Sequence, residues 1–87
     1  MTRPNPKPTP LSVRLGDMRD ARGWKRPDAI RELLTIHQQR GLLPPALTVS
    51  QLREYERGIV PSFGAMKELS TLYGVDYADL CLTGGSR

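Results

Sequence analysis

The stretch from Thr48 to Gly58 gathers hydroxyl, amide, guanidinium and carboxylate side chains within a few turns of chain. Thr48 is a good N-cap, and Gln51 three residues later completes a capping box. Leu47 before the cap and Leu52 at the fourth helical position form the matching hydrophobic staple. Leu52, Tyr55 and Ile59 recur at i, i+3 and i+7 and predict one apolar side. The other side carries Val49, Ser50, Gln51, Arg53, Glu54 and Arg57. A short helix with an apolar back and such a front suits reading base edges in a DNA major groove. Arg there pairs with guanine, Gln with adenine, and an apolar group touches the thymine methyl. The plainer reading of the same stretch is an amphipathic helix in a small bundle.

Other chemistry finds little support. His37 and Cys81 are the only histidine and cysteine, and the carboxylates are not clustered. Nucleophilic catalysis, a multi-cysteine metal site and an internal disulfide have no residues to build them. No enzyme, cofactor or metal site is expected, and His37 reads as a packing residue. Glu54 and Glu56 read as surface and structural charge.

At 87 residues and net charge +4, the chain is expected to form one domain. The excess charge is uneven. Residues 11–57 carry nine basic and six acidic groups, whereas residues 58–87 carry two and three. The basic part coincides with the part carrying the candidate helix, as a phosphate footprint requires. A net charge this modest also fits an ordinary solvated surface. The N-terminus is proline-rich rather than apolar, and Pro44-Pro45 interrupt the longest apolar run. Neither a signal peptide nor a membrane span is expected, and a cytoplasmic location follows.

Four further helices, with an N-terminal arm and a long loop, must position that helix. Residues 1–10 alternate Pro4, Pro6, Pro8 and Pro10 with small polar and basic residues, including Arg3 and Lys7. They are predicted to form an extended or disordered arm, either reaching along DNA or, more plainly, solvated. Thr9-Pro10 gives a cap and a proline at the first helical position, so a helix is predicted over 11–22. Leu11, Leu15 and Met18 should face inward, with Val13 and Ala21 widening that face. Gly23 ends it, and Trp24 should cover the core with its N–H near the surface. The next helix starts near Lys25-Arg26-Pro27-Asp28 and runs to Arg40. Ile30, Leu33, Leu34 and His37 form its apolar stripe, widened by Ala29 and Ile36. A loop over 41–46 follows. Leu42 and Leu43 there are either core cover, the favoured reading, or an exposed patch for a partner. After Gly58, Ser62 caps a helix over 63–73 whose Ala65, Met66, Leu69, Leu72 and Tyr73 turn inward, with Gly74 as its stop. Asp76 then caps a last helix reaching Leu82, with Val75 and Leu80 as its staple. Residues 83–87 should be a flexible tail.

The close Tyr55-Glu56-Arg57-Gly58, following a cap, two variable polar residues and Leu52, resembles the recognition helix of the lambda-repressor-like (Xre/Cro-type) helix-turn-helix family. Leu15-x-x-Met18-Arg19-x-x-Arg22-Gly23-Trp24 is similar to that family's first helix. Leu69-x-x-Leu72-Tyr73-Gly74-Val75-Asp76-x-x-Asp79-Leu80 is similar to its closing segment. The resemblance covers residues 11–82 in two blocks. It implies a compact five-helix all-α domain and a sequence-specific DNA-binding transcriptional regulator of bacterial or phage type, repressor-like and acting as a dimer. It also implies a structural pair, Arg19 with Glu56. Double-stranded DNA would be read by Val49, Ser50, Gln51 and Arg53, with Lys25, Arg26, Thr48 and Arg57 on phosphates.

The chain departs from that pattern in three places. About 12 extra residues, 34–45, lengthen the second helix and replace the usual tight turn. Ile30 stands where a small Ala is usual. Ile59 and Val60 stand where phosphate-contacting polar residues are common. Ile59, Val60, Leu42 and Leu43 therefore define an alternative, a protein-interaction module that reuses the fold and docks a partner through apolar residues.

Overall fold

The computed structural model describes residues 7–83. Within them the Thr9 hydroxyl accepts a hydrogen bond from the Ser12 amide at 3.0 Å, and Ser12 Oγ accepts from the Thr9 amide at 2.7 Å. This reciprocal cap, with Pro10 at the first position, starts α1, Pro10–Ala21. The remaining helices are α2, Arg26–Gln39, α3, Val49–Arg57, α4, Phe63–Tyr73, and α5, Tyr77–Thr83. The expected five-helix all-α architecture is what the chain adopts, and the described residues contain no strand. No described helix is long and apolar enough to cross a membrane.

The core assembles from one stripe per helix. Leu11 and Leu15 come from α1, Ala29 and Leu33 from α2, and Leu52 and Tyr55 from α3. The α4 helix contributes most: Ala65, Met66, Leu69, Leu72 and Tyr73. Leu80 of α5 and Leu47 of the loop before α3 close the cluster. The α1 helix packs on α3 and α5, while α4 packs on α2 and α5 and α2 also meets α3. Trp24 is half-buried at the edge and stacks on Tyr73, centroids 6.5 Å apart.

Four positions expected inside are not. The α1 stripe runs through Leu11, Ser12 and Leu15, which leaves Val13 on the far side, 52% exposed. Ala21, at the end of α1, is also exposed. On α2 the buried stripe is Ala29, Leu33 and His37, so Leu34 lies at its margin in solvent. Ile59 leaves the α3 stripe because the helix stops first: Gly58 has φ 122°, a turn an L side chain resists, and Ile59 emerges exposed.

The segment between α2 and α3 overturns a further expectation. Leu42 and Leu43 are exposed rather than covering the core. The fold grips their backbone instead. His37, itself buried, hydrogen-bonds the Leu43 carbonyl through Nδ1 at 2.9 Å, and the Leu42 amide donates to the His37 carbonyl. At the other end, Glu68 of α4 accepts from the Ala46 and Leu47 amides at 2.9 and 2.8 Å. The loop is long yet tied at both ends.

Candidate functional site

The α3 helix is set in place from three sides. Behind it, Leu52 and Tyr55 are buried in the core. At its start, the Thr48 hydroxyl accepts from the Gln51 amide at 3.1 Å, and Gln51 Oε1 accepts from the Thr48 amide at 3.2 Å. The Glu68 carboxylate holds the two residues just ahead, so α4 fixes where α3 begins.

At its end, Glu56 is almost wholly buried, its side chain 4% exposed. Arg19 of α1 grips it with both prongs, Nε to Oε2 at 2.8 Å and Nη2 to Oε1 at 2.9 Å. The third nitrogen, Nη1, donates to the Trp24 carbonyl at 2.8 Å. The hydrogen bonds that Arg19 donates to Glu56 raise its guanidinium pKa above the ordinary value, against the opposing effect of burial. The Arg19–Glu56 geometry matches the structural pair expected between these positions.

Arg26, at the start of α2, donates through Nε to the same Glu56 Oε1 at 3.1 Å. Two guanidiniums thus share one carboxylate, and a second carboxylate, Asp20, lies 3.4 Å from Arg19 Nη1. Arg22 covers the neighbouring surface, donating to the Tyr73 carbonyl at 2.9 Å and lying over both the Trp24 and Tyr73 rings. Burial raises the pKa of the Tyr73 hydroxyl well above the usual phenol value, and the Glu56 charge adds to the effect. Tyr73 Oη has no hydrogen-bond partner among the described residues.

The exposed front holds the candidate reading residues together. Val49, Ser50, Gln51 and Arg53 are all exposed along the first turns of α3. Arg53 forms no ion pair among the described residues. Gln51 Oε1 is engaged in the cap, so its amide NH₂ is the group left to face outward. Adenine recognition through both amide atoms would have to use the second lone pair of Oε1, whereas donation to a single base acceptor leaves the oxygen to the cap.

Of the four phosphate candidates, Lys25 is exposed beside Arg26, and its backbone amide donates to the Asp28 carboxylate at 3.0 Å. Arg26 is partly committed to Glu56, with a side chain 36% exposed. Arg57 is exposed and pairs at 3.6 Å with Glu54 one turn back. The Thr48 hydroxyl oxygen is taken as an acceptor by the Gln51 amide, and its own O–H remains available as a donor. Residues 1–6 of the expected N-terminal arm and residues 84–87 of the expected tail lie outside the described residues. Lys7 and Pro8 are exposed, and Pro10 already belongs to α1.

No family model, curated protein or solved structure matches this chain. The site must therefore be read from its own groups. An exposed row of short polar and cationic side chains stands on a helix fixed at both ends, flanked by further cations at the start of α2. This arrangement offers donors and positive charge to an anionic, hydrogen-bonding surface. Among the described residues no group of three or more His, Cys, Asp or Glu is placed to hold a metal.

Three contacts of the site carry no local sequence signal: Glu68 to the Ala46 and Leu47 amides, Arg26 to Glu56, and Arg22 to the Tyr73 carbonyl. Each joins residues more than 20 positions apart. The Arg14–Asp79 ion pair at 2.9 Å, which ties α1 to α5, is of the same kind.

Proposed function

We propose that this chain is a sequence-specific DNA-binding transcriptional regulator of the lambda-repressor-like helix-turn-helix kind, acting in the cytoplasm of a bacterium or phage host. The observation that carries the reading is the fixed placement of α3. Its capped start, its buried Glu56 anchor and its exposed Val49, Ser50, Gln51 and Arg53 present a rigid polar face. Rigid presentation matters because base readout discriminates by ~1–3 kcal/mol per good contact and is lost when side chains wander.

In the proposed complex α3 lies in the major groove. Arg53 donates to guanine, Gln51 donates from its NH₂ to a base acceptor, and Val49 meets a thymine methyl. Ser50 reads a base edge or turns to a phosphate. Lys25, Arg26, Arg57 and the Thr48 hydroxyl set the register on phosphates. Glu56 holds Arg26 in advance, so little side-chain freedom is lost when a phosphate replaces solvent at its open edge. The chain acts as a homodimer on a two-fold or repeated site.

Selection from a randomised DNA pool, run on the native chain and on Gln51→Ala, tests the reading. A consensus that loses preference at one or two positions in the variant is the expected result. An unchanged consensus would remove Gln51 from the reading set, and the absence of any consensus for the native chain would remove the function.

A second reading rests on a separate observation. Leu42, Leu43, Ile59 and Val60 are all exposed, Leu43 and Val60 by more than four-fifths. A protein partner docking on them would bind with little dependence on salt, whereas phosphate contacts make affinity fall steeply as salt rises.

A further inference from the structure

An apolar groove of about 360 Å³ lies where the start of α1, the α3–α4 corner and α5 converge. Leu11, Ile59, Val60, Phe63 and Tyr77 contribute to its walls, and Thr9 forms part of its rim. Phe63 and Tyr77 meet edge to face, centroids 5.4 Å apart at 83°. Phe63 is 63% exposed, so the pair presents ring surface to whatever enters. Grooves walled by aromatic rings are the usual hosts for polyproline segments, which lose little entropy on docking.

The chain carries such a segment, and it joins the domain at this rim. Pro4, Pro6, Pro8 and Pro10 alternate with Arg3, Asn5, Lys7 and Thr9. A residue before proline is held in extended conformation by the proline ring. Thr9 obeys this, with φ −117° and ψ 164°. Lys7 and Pro8 are exposed and do not line the groove. Arg3, Asn5 and Lys7 each precede a proline, a sequence that favours extended conformation over a tight turn. A proline-rich sequence that joins the domain at a groove which its nearest residues do not line is suited to the same groove on a neighbouring copy.

We propose that two copies of this chain associate by exchanging their proline-rich N-terminal segments, each lodging Pro4 and Pro6 against Phe63 and Tyr77 of the other. Because the segment originates at the groove it seeks, the exchange is reciprocal about a two-fold axis and closes as a dimer rather than a filament. The inference rests on the dimer in the reading above and not on DNA contact.

The test is sedimentation velocity without DNA, over a range of protein concentrations. It compares the full chain with a variant lacking residues 2–8, which keeps the Thr9–Pro10 cap, and with Phe63→Ala, which alters an exposed side chain. Dimerisation weakened about tenfold or more in both variants, with unchanged helical circular dichroism, is expected. Isotope-filtered nuclear Overhauser spectra of a mixed labelled and unlabelled sample should then show proline-to-ring contacts between copies. The proposal is overturned by dimerisation that survives removal of the segment, by a chain that stays monomeric throughout, or by proline-to-ring contacts within one copy. Failure here leaves DNA binding untouched, because a monomer on a half-site is still detected by titration with DNA.

Discussion

Arg19 and Glu56, 37 residues apart in sequence, form a two-pronged ion pair whose carboxylate is sealed from solvent and shared with Arg26. The pair welds α1 to the end of α3 and so decides how the exposed face of α3 is aimed. Removing Glu56 leaves the Arg19 guanidinium, with its side chain 13% exposed, without its two-pronged partner. Glu56→Ala should therefore destabilise the fold by about 3–5 kcal/mol. Urea unfolding of Glu56→Ala, Arg19→Ala and the double variant checks this. The double variant is expected to be less damaged than the sum of the singles, and strict additivity would show that the pair carries no coupling.

Glu68 does for the start of α3 what Arg19 does for its end. Its carboxylate accepts two backbone amides of the loop, and no other side chain holds those groups in the described residues. Glu68→Ala should cost about 1–3 kcal/mol, as hydrogen bonds to a charged group do. Hydrogen exchange at the Ala46 and Leu47 amides should accelerate more than exchange at the core amides of α4. Equal acceleration everywhere would mean the contact only contributes to global stability.

Tyr73 sets the alkaline limit. Burial favours its neutral hydroxyl, so its folded pKa lies above the unfolded value of about 10. A group with a raised folded pKa contributes stability that is complete below the unfolded pKa and is lost as pH rises through the folded one. Stability should therefore fall from about pH 10 upward. Tyr73→Phe removes both this ionisation and a hydroxyl with no partner. The variant should equal or exceed the native chain at neutral pH and lose less stability at alkaline pH. A Tyr73→Phe chain that declines in parallel with the native one would assign the decline to other groups.

The phosphate assignments differ in the salt dependence they imply. Lys25→Ala and Arg57→Ala should each weaken DNA binding by similar factors on all sequences and lower the slope of log affinity against log salt by about 1. Arg53→Ala should instead relax preference at one base pair. A change of consensus in Lys25→Ala, with an unaltered slope, would reverse the roles of these residues.

Much of the fold was legible because its signals are local. Thr9, Thr48 and Ser62 are used as caps, and Gly23, Gly41, Gly58 and Gly74 end helices with positive φ, as expected. Periodicity found the apolar residues of the α4 face but not the buried Ser70, and it placed Ile59 wrongly, because a stripe read by spacing continues past a point where Gly58 turns the backbone. For Leu42 and Leu43 the favoured reading as core cover gave way to the exposed one, because apolar character alone does not show that a loop is held by its carbonyls and amides. Ser12 was missed as a buried cap partner because a serine three residues beyond the cap is a weaker signal than Gln or Glu. The groups that set the site's electrostatics, Arg26 beside Glu56 and Glu68 beside Leu47, come together only when helices distant in sequence pack.

The measurement that tests the central claim most directly is a fluorescence-anisotropy titration of the native chain against DNA fragments, including the region upstream of its own gene, at two salt concentrations. Tight binding to one fragment that weakens steeply with salt is the expected result. No binding at low salt would contradict the DNA reading and turn attention to the exposed apolar residues Leu42, Leu43, Ile59 and Val60 as a protein-docking surface.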